Sequence, residues 1–304
     1  MKTTITGISG FVGQNLSKFL EKQNHQIESL SLRNADWKTN FDPATNAIIH
    51  LAGKAHDTKK LIDPEEYFEI NTELTKKIFD LFLTSEVQDF FYFSSVKAAV
   101  DEASSVLTEN EIPNPKTSYG QSKLLAEQYI LSKQIPIGKR LFIIRPCMIH
   151  GPGNKGNLNL LYNLVSKGIP WPLGTFNNKR SFCSIDNLMF IIKELIDQQD
   201  IESGIYNFAD DDPLSTNELI GLISKSLGKK AKILNFNKSF IRTTARFGNV
   251  LKLPFNTENL EKLTESYLVS NTKIKAAIGK PLPVSSKDGL FRTFQSFSSS
   301  SQYF

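Results

Sequence analysis

Hydrophobic positions in the first half of the chain switch between two periods. Residues 2–6 are threonine-rich and extended by propensity, with Ile5 as their strong hydrophobe. Residues 14–22 place Leu16, Phe19 and Leu20 on one helical face, and 27–32 form a second strand candidate. Ala47-Ile48-Ile49-His50-Leu51 is a nearly unbroken apolar run, the pattern of a strand covered on both faces. Asp63-Pro64-Glu65-Glu66 opens a long helix, with a capping carboxylate, a first-turn proline and acids at the positive end of the dipole. Tyr67, Ile70, Leu74, Ile78 and Leu81 follow at helical spacing. A strand at 90–93, a helix at 119–131 and a strand at 141–144 continue the alternation. The pattern predicts an α/β fold with a doubly wound parallel sheet.

The texture changes at Pro146. Glycine, proline and asparagine are frequent over 151–179, around helical pieces at 158–167 and 187–196, and a strand at 204–208 and a helix at 216–227 follow. Residues 1–150 therefore read as one domain. Residues 151–304 read mainly as a smaller α/β lobe, with some segments returning to the first domain. The serine-rich stretch 296–301 reads as a frayed or an ordinary polar end.

Composition narrows the class. The 304 residues are 40% hydrophobic and 22% charged, as in ordinary globular proteins. Two cysteines, Cys147 and Cys183, exclude a disulfide scaffold or a multi-cysteine zinc site, so both read as packing residues and no metal is expected. The net charge of +5 suits an anionic small molecule. It reads as dispersed, with no basic run interleaved with aromatics, so nucleic acid is not an expected partner. Strand-like sequence from Lys2 leaves no room for a secretory apolar region, and no run approaches the ~18 apolar residues of a membrane span. A cytoplasmic protein without a span is expected.

Gly7, Gly10 and Gly13 lie between the first strand and the first helix. A turn of this kind lets the backbone approach a pyrophosphate while the free N–H groups of the helix face it. The spacing is Gly-x-x-Gly-x-x-Gly, and the context predicts a Rossmann-type dinucleotide site in residues 1–150. The acid that accepts the ribose hydroxyls of NAD usually ends the second strand. Counting from the glycines, that place falls near Ser31, with Arg33 following. No carboxylate there would repel a 2′-phosphate, and a guanidinium can pair with one, which favours NADP(H) over NAD(H).

Tyr119 and Lys123, four residues apart, share a helical face. A lysine cation near the phenol is expected to lower its pKa towards working pH, so that the pair can move a proton while a nicotinamide moves a hydride. Lys123 is also within reach of the nicotinamide ribose. Ser94-Ser95 ends the 90–93 strand at the carboxyl edge of the sheet, where a hydroxyl can orient the reacting oxygen.

With these motifs in that order, the chain resembles the extended short-chain dehydrogenase/reductases of the nucleotide-sugar epimerase/dehydratase group over nearly its full length. Further matching segments are His50-Leu51-Ala52-Gly53, Asn71, Arg145-Pro146, Gly151-Pro152-Gly153, Arg180-Ser181-Phe182, Ile185-Asp186-Asn187 and Gly279-Lys280-Pro281. The resemblance implies that Ser95, Tyr119 and Lys123 are catalytic and that Phe11, Val12, Leu51, Ala52 and Pro146 line the cofactor. It also implies that Asn157 and Arg180 hold the diphosphate end of a sugar nucleotide and that the protein is a homodimer. Lys97 departs from the family pattern and reads either as a second phosphate or sugar-carbonyl contact or as a solvated lysine. Asp186 reads as the cap of the following helix, and His150, where the family usually has Tyr, as a packing or hydrogen-bonding residue. Val96-Lys97 stands where the family's dehydratases carry Asp-Glu, so dehydration is not expected. Ser-Ser-x-Lys, the Gly-Asn-Lys-Gly-Asn stretch at 153–157 and the motif at 180–187 look closest to reductases of UDP-4-keto-6-deoxy-N-acetylhexosamines, which serve bacterial surface polysaccharides. UDP-hexose 4-epimerases share the scaffold, and a non-catalytic dinucleotide sensor is the alternative of another class.

Overall fold

The computed structural model describes residues 1–54, 63–154, 156–250 and 256–300. Its strands are β1 (Lys2–Thr6), β2 (Gln26–Leu30), β3 (Ala47–His50), β4 (Asp89–Phe93), β5 (Arg140–Pro146), β6 (Met148–His150), β7 (Phe182–Ser184) and β8 (Gly204–Phe208). Six of them form one sheet in the order β2-β1-β3-β4-β5-β8, every pairing parallel, while β6 and β7 pair separately. The helices are α1 (Phe11–Glu21), α2 (Pro64–Phe68), α3 (Leu74–Thr84), α4 (Ser118–Leu131), α5 (Asn157–Ser166), α6 (Ile185–Asp197), α7 (Thr216–Ser226), α8 (Lys238–Val250), α9 (Thr257–Thr264), α10 (Thr272–Ile278) and α11 (Ser286–Ser300).

The central strands read as unbroken apolar runs because both faces of the sheet are covered. In β4, Phe91 and Phe93 enter a core built with α1, α6 and α10, whereas Phe90 and Tyr92 enter one built with α3 and α4. From β1 the chain winds outward to β2 and then crosses back to β3 on the other side. That reversal leaves a crevice at the carboxyl ends of β1 and β3, the usual ligand position in such sheets.

The helix expected to run on from Asp63 is interrupted. Asp63 caps α2 by accepting from Glu65 N (3.0 Å), but a π-helical turn at Glu69–Glu73 separates α2 from α3. The wider turn holds Asn71, fully buried, against the crevice. Hydrophobic spacing did not signal the interruption because Tyr67 and Ile78, on either side of it, are still buried.

A third core joins α5, α7, α8, α9 and α11 around Trp171, Leu173 and Phe176. The serine-rich end, for which fraying is one of the two readings, continues α11 through Ser300. Phe294 and Phe297 are buried in this core and hold that helix down, so polar composition alone did not decide it.

Candidate active site

The glycine turn joins β1 to α1. Gly7 has φ +71°, and a Cβ on it would lie 2.6 Å from Ala52 N; one on Gly13 would lie 2.5 Å from Gly7 O. The first and third glycines are thus demanded by backbone packing. Gly10, whose N–H donates to Gly7 O (3.0 Å), caps α1 without a side chain, and the first turn of Phe11, Val12 and Gly13 carries no acid. The positive end of the helix is therefore left for an external anion, and the turn fits a dinucleotide pyrophosphate. A cavity of about 410 Å³ lies beside it, between Ser9, Phe11 and Gln14 and the loop Pro152-Gly153-Asn154.

Behind the turn, β1, β3 and α3 are pinned through a histidine. Thr75 donates to Asn71 O (2.8 Å), so its oxygen accepts from His50 Nε2 (2.9 Å), and Nδ1 accepts from Thr6 (2.7 Å). Thr6 Oγ1 in turn accepts from Ala52 N (3.1 Å). Burial, and secondarily the Lys123 charge, pushes the His50 pKa down to about 3, so the ring is a neutral pin. Leu51 and Ala52, half-buried, follow β3 into the crevice, and Pro146 ends β5 in a buried position. Ser31 and Arg33 are exposed just past β2.

Ser95, Tyr119 and Lys123 are brought together past the carboxyl end of β4. Ser95 caps a short turn at Val96–Ala98 by accepting from Lys97 N (3.2 Å). Thr117 caps α4, accepting from Gly120 N (3.2 Å) while its hydroxyl donates to Asp101 (2.8 Å), and this sets Tyr119 at the start of the helix. The Tyr119 phenol feels the Ser95 side chain, and its ring meets Tyr67 edge-on at 6.1 Å. One turn further, Lys123 is 5% exposed, donates to Phe93 O (2.8 Å) and sits 5.1 Å over the Tyr92 ring. Asn71 completes the wall, accepting from Lys54 N (2.8 Å) and donating to Ser122 Oγ (3.0 Å).

The electrostatics differ from the expectation at one point. Burial raises the Tyr119 pKa above the usual phenol value, with the Ser95 side chain pulling the other way. Lys123 points its ammonium at the Phe93 carbonyl, and its own pKa falls to about 8 because burial outweighs the attraction of Glu127. The phenol is therefore a protonated donor at neutral pH, not a phenolate.

Glu127 follows Lys123 by four residues and pairs in the core with Arg145 of β5, through Nε to Oε1 (2.9 Å) and a second bond from Nη2. Both are almost wholly buried. The Tyr119, Lys123, Glu127 spacing was the available signal for this partner, and the sequence reading did not use it. Tyr67, read only as part of an apolar face, also belongs to the site.

The proposed substrate residues divide. Lys97 lies 4.2 Å over the Tyr267 ring and feels Glu265 and Arg180. Arg180 donates to the carbonyls of Glu265 (3.1 Å) and Lys262, with the Glu265 carboxylate at 3.8 Å. These two cations therefore share one cluster, whereas Asn157 stands exposed at the start of α5. Asp186 is not the cap of α6: Ser184 is, accepting from Asp186 N (3.2 Å), and Asp186 faces Arg292 at 3.4 Å. The shorter serine reaches back to the first-turn amide from the cap position itself. His150 is buried and bonds Thr293 (2.9 Å). Cys147 and Cys183 are buried, and burial pushes both thiols well up.

Sheet, bare helix terminus and protonated phenol beside the crevice are the parts a nicotinamide-dinucleotide enzyme needs. Sequence comparison places it more closely: the pattern of the NAD dependent epimerase/dehydratase family matches residues 3–209, and the chain belongs to that family. A UDP-glucose 4-epimerase of Vibrio cholerae is 30% identical over 96% of this chain and 94% of its own. A GDP-6-deoxy-D-mannose reductase of Pseudomonas aeruginosa is 28% identical over 72% of this chain and 78% of its own. Among solved structures, MoeE5 in complex with UDP-glucuronic acid and NAD has the same fold, with TM-score 0.75 at 17% identity over 99% of this chain and 100% of that one. The protein is thus an NAD(P)-dependent enzyme of the sugar-nucleotide epimerase and reductase class.

Proposed function

We propose that this enzyme transfers hydride to C4 of a UDP-4-keto-6-deoxy-N-acetylhexosamine, using NADPH, in cytoplasmic synthesis of a surface polysaccharide. The observation that carries the reading is the convergence of the protonated Tyr119 phenol and Ser95 past the carboxyl end of β4, with Lys123 buried one turn further along α4. Gly7, Gly10, Gly13, Phe11, Val12, Leu51, Ala52 and Pro146 would hold the dinucleotide, which supplies the hydride when bound. Ser95 orients the C4 oxygen and Tyr119 gives it a proton. Lys123, its ammonium on Phe93 O one turn along α4, reaches the nicotinamide ribose. Lys97 and Arg180 take the sugar and the diphosphate, exchanging the Lys262 and Glu265 carbonyl contacts of Arg180 for phosphate oxygens. Asn157 contributes from the start of α5. Exposed Arg33, with Ser31 in place of an acid, supports NADPH. A homodimer is part of this reading, and the exposed Leu125 and Leu131 of α4 are apolar surface available to it.

A 4-epimerase with retained NAD is the second reading, favoured by the full-length similarity to the Vibrio cholerae enzyme. The deciding experiment identifies any nucleotide released from the purified protein and then titrates the emptied site with NADPH and NADH by fluorescence. An empty site and tighter NADPH binding support the reductase. Retained NAD together with interconversion of UDP-GlcNAc and UDP-GalNAc overturns it in favour of the epimerase.

A further inference from the structure

The positive charge of this chain is concentrated, not dispersed as its composition suggested. Residues 219–257 hold eight Lys and Arg and no acid, whereas the rest, with 28 Lys and Arg against 31 Asp and Glu, is net −3. Seven of the eight lie among the described residues and all seven are exposed. From just past α7 into the first turn of α8, residues 228–240 are exposed throughout except for half-buried Ile233, and they include Leu234, Phe236 and Phe240. Cations and large apolar side chains are thus interleaved on one solvent-facing stretch.

Helix α8 sorts them by face. Ile241 and Ala245, four apart, are buried in the third core. Phe240 and Phe247, seven apart and so on one face, are 58% and 65% exposed, and the Phe236 ring lies 6.2 Å from Phe240. Arg242 and Arg246, both exposed, project from a third face. Helix α9, packed against α8, bounds the basic region with Glu258 and Glu261, of which Glu258 is paired with Lys262. At the start of the stretch a cavity of about 380 Å³ is ringed by Lys229, Lys230 and Lys232 over Val165 and Ile220. The Ser224 hydroxyl in its wall is buried and has no hydrogen-bond partner among the described residues.

Exposed aromatics beside cations, with no acid among them, are the chemistry of a helix lying at a charged lipid interface. We propose that the face from the end of α7 through α8 docks the enzyme on an anionic bilayer surface. Phe236, Phe240 and Phe247 enter the headgroup region, the cations meet lipid phosphates, and the Lys229–Lys232 cavity with Ser224 takes one headgroup. No helix among the described residues is long and apolar enough to cross a membrane, so this is attachment to a surface. The inference does not depend on the reaction assigned above.

The test is flotation of the full chain with phosphatidylcholine vesicles, with and without phosphatidylglycerol. Binding is expected only to the anionic vesicles and is weakened by salt. The Arg242→Gln/Arg246→Gln variant should partition roughly thirtyfold more weakly, the equivalent of about 1 kcal/mol for each cation at such a surface. Phe240→Ser/Phe247→Ser should also detach, with NADPH binding and melting temperature unchanged as controls on folding. Equal binding to neutral vesicles, or variants that float like the parent, overturns the proposal. So does displacement by inorganic phosphate alone, which would mean a free-anion site. If the phenylalanine variant instead converts a dimer to a monomer without vesicles, the face is a self-association surface. Retention on RNA with no retention on lipid would assign it to nucleic acid, and either result refutes bilayer docking.

Discussion

Replacing Lys123 with Met should change how stability depends on pH, by an amount the site geometry sets. Met keeps the apolar stem and removes the ammonium, which in the folded chain has a pKa lowered from 10.5 to about 8 by burial. Because the folded-state value lies below the unfolded one, the folded chain binds this proton more weakly than the unfolded chain does. Wild-type stability relative to Lys123→Met is therefore lowest below about pH 8 and rises as pH climbs from 8 towards 10.5. The full excursion is about 3 kcal/mol, undiminished by solvent because Lys123 is only 5% exposed. The hydrogen bond to Phe93 O adds an offset that varies far less with pH, so the slope isolates the ionisation. Paired urea denaturations of the two proteins at pH 7, 8, 9 and 10 measure it, and groups that titrate alike in both cancel. Two curves that stay parallel across that range would refute the argument that this lysine is held charged at an energetic cost.

Three further outcomes follow from named contacts. Tyr119→Phe removes the proton donor and should lower turnover about 10²- to 10⁴-fold while leaving NADPH binding intact, as measured by steady-state assay beside fluorescence titration; undiminished turnover would remove Tyr119 from catalysis, and no turnover of the parent on any UDP-sugar would return the sensor reading. Gly13→Ala drives a Cβ to 2.5 Å from Gly7 O and 2.6 Å from Ile8 Cα, backbone atoms that cannot rotate aside. It should cost about 1–3 kcal/mol and abolish the thermal shift on adding dinucleotide. Glu127→Gln leaves the buried Arg145 guanidinium without its counter-charge and should cost about 3–5 kcal/mol by urea denaturation, whereas Glu127→Leu/Arg145→Met together should be much milder.

The sheet was legible because its evidence is local. A strand buried on both faces must be apolar at consecutive positions, and Phe90-Phe91-Tyr92-Phe93 satisfies that whichever neighbour covers it. The glycine turn was legible for a similar reason: positions 7 and 13 admit no side chain, and the chemical demand falls on those residues themselves. The π-helical turn at Glu69–Glu73 was not legible, since Asn71 is held by Lys54 and Ser122, far from it in the sequence. The serine-rich end could not be decided from its polarity, because Phe294 and Phe297 outweigh the serines around them only once a core exists to receive them.

By itself the sequence marked Ser95, Tyr119 and Lys123 as candidates for the chemistry, because a strand-end hydroxyl and a Tyr and Lys four apart on one helix are visible from local order alone. Tertiary structure alone decided their protonation. Whether Lys123 pulls the phenol down depends on where its ammonium points, and it points at Phe93 O, over Tyr92, in a site dry enough to raise one pKa and lower the other. Spacing along a helix sets proximity, but desolvation depends on everything packed around it, and that packing comes from β4, β5 and α3.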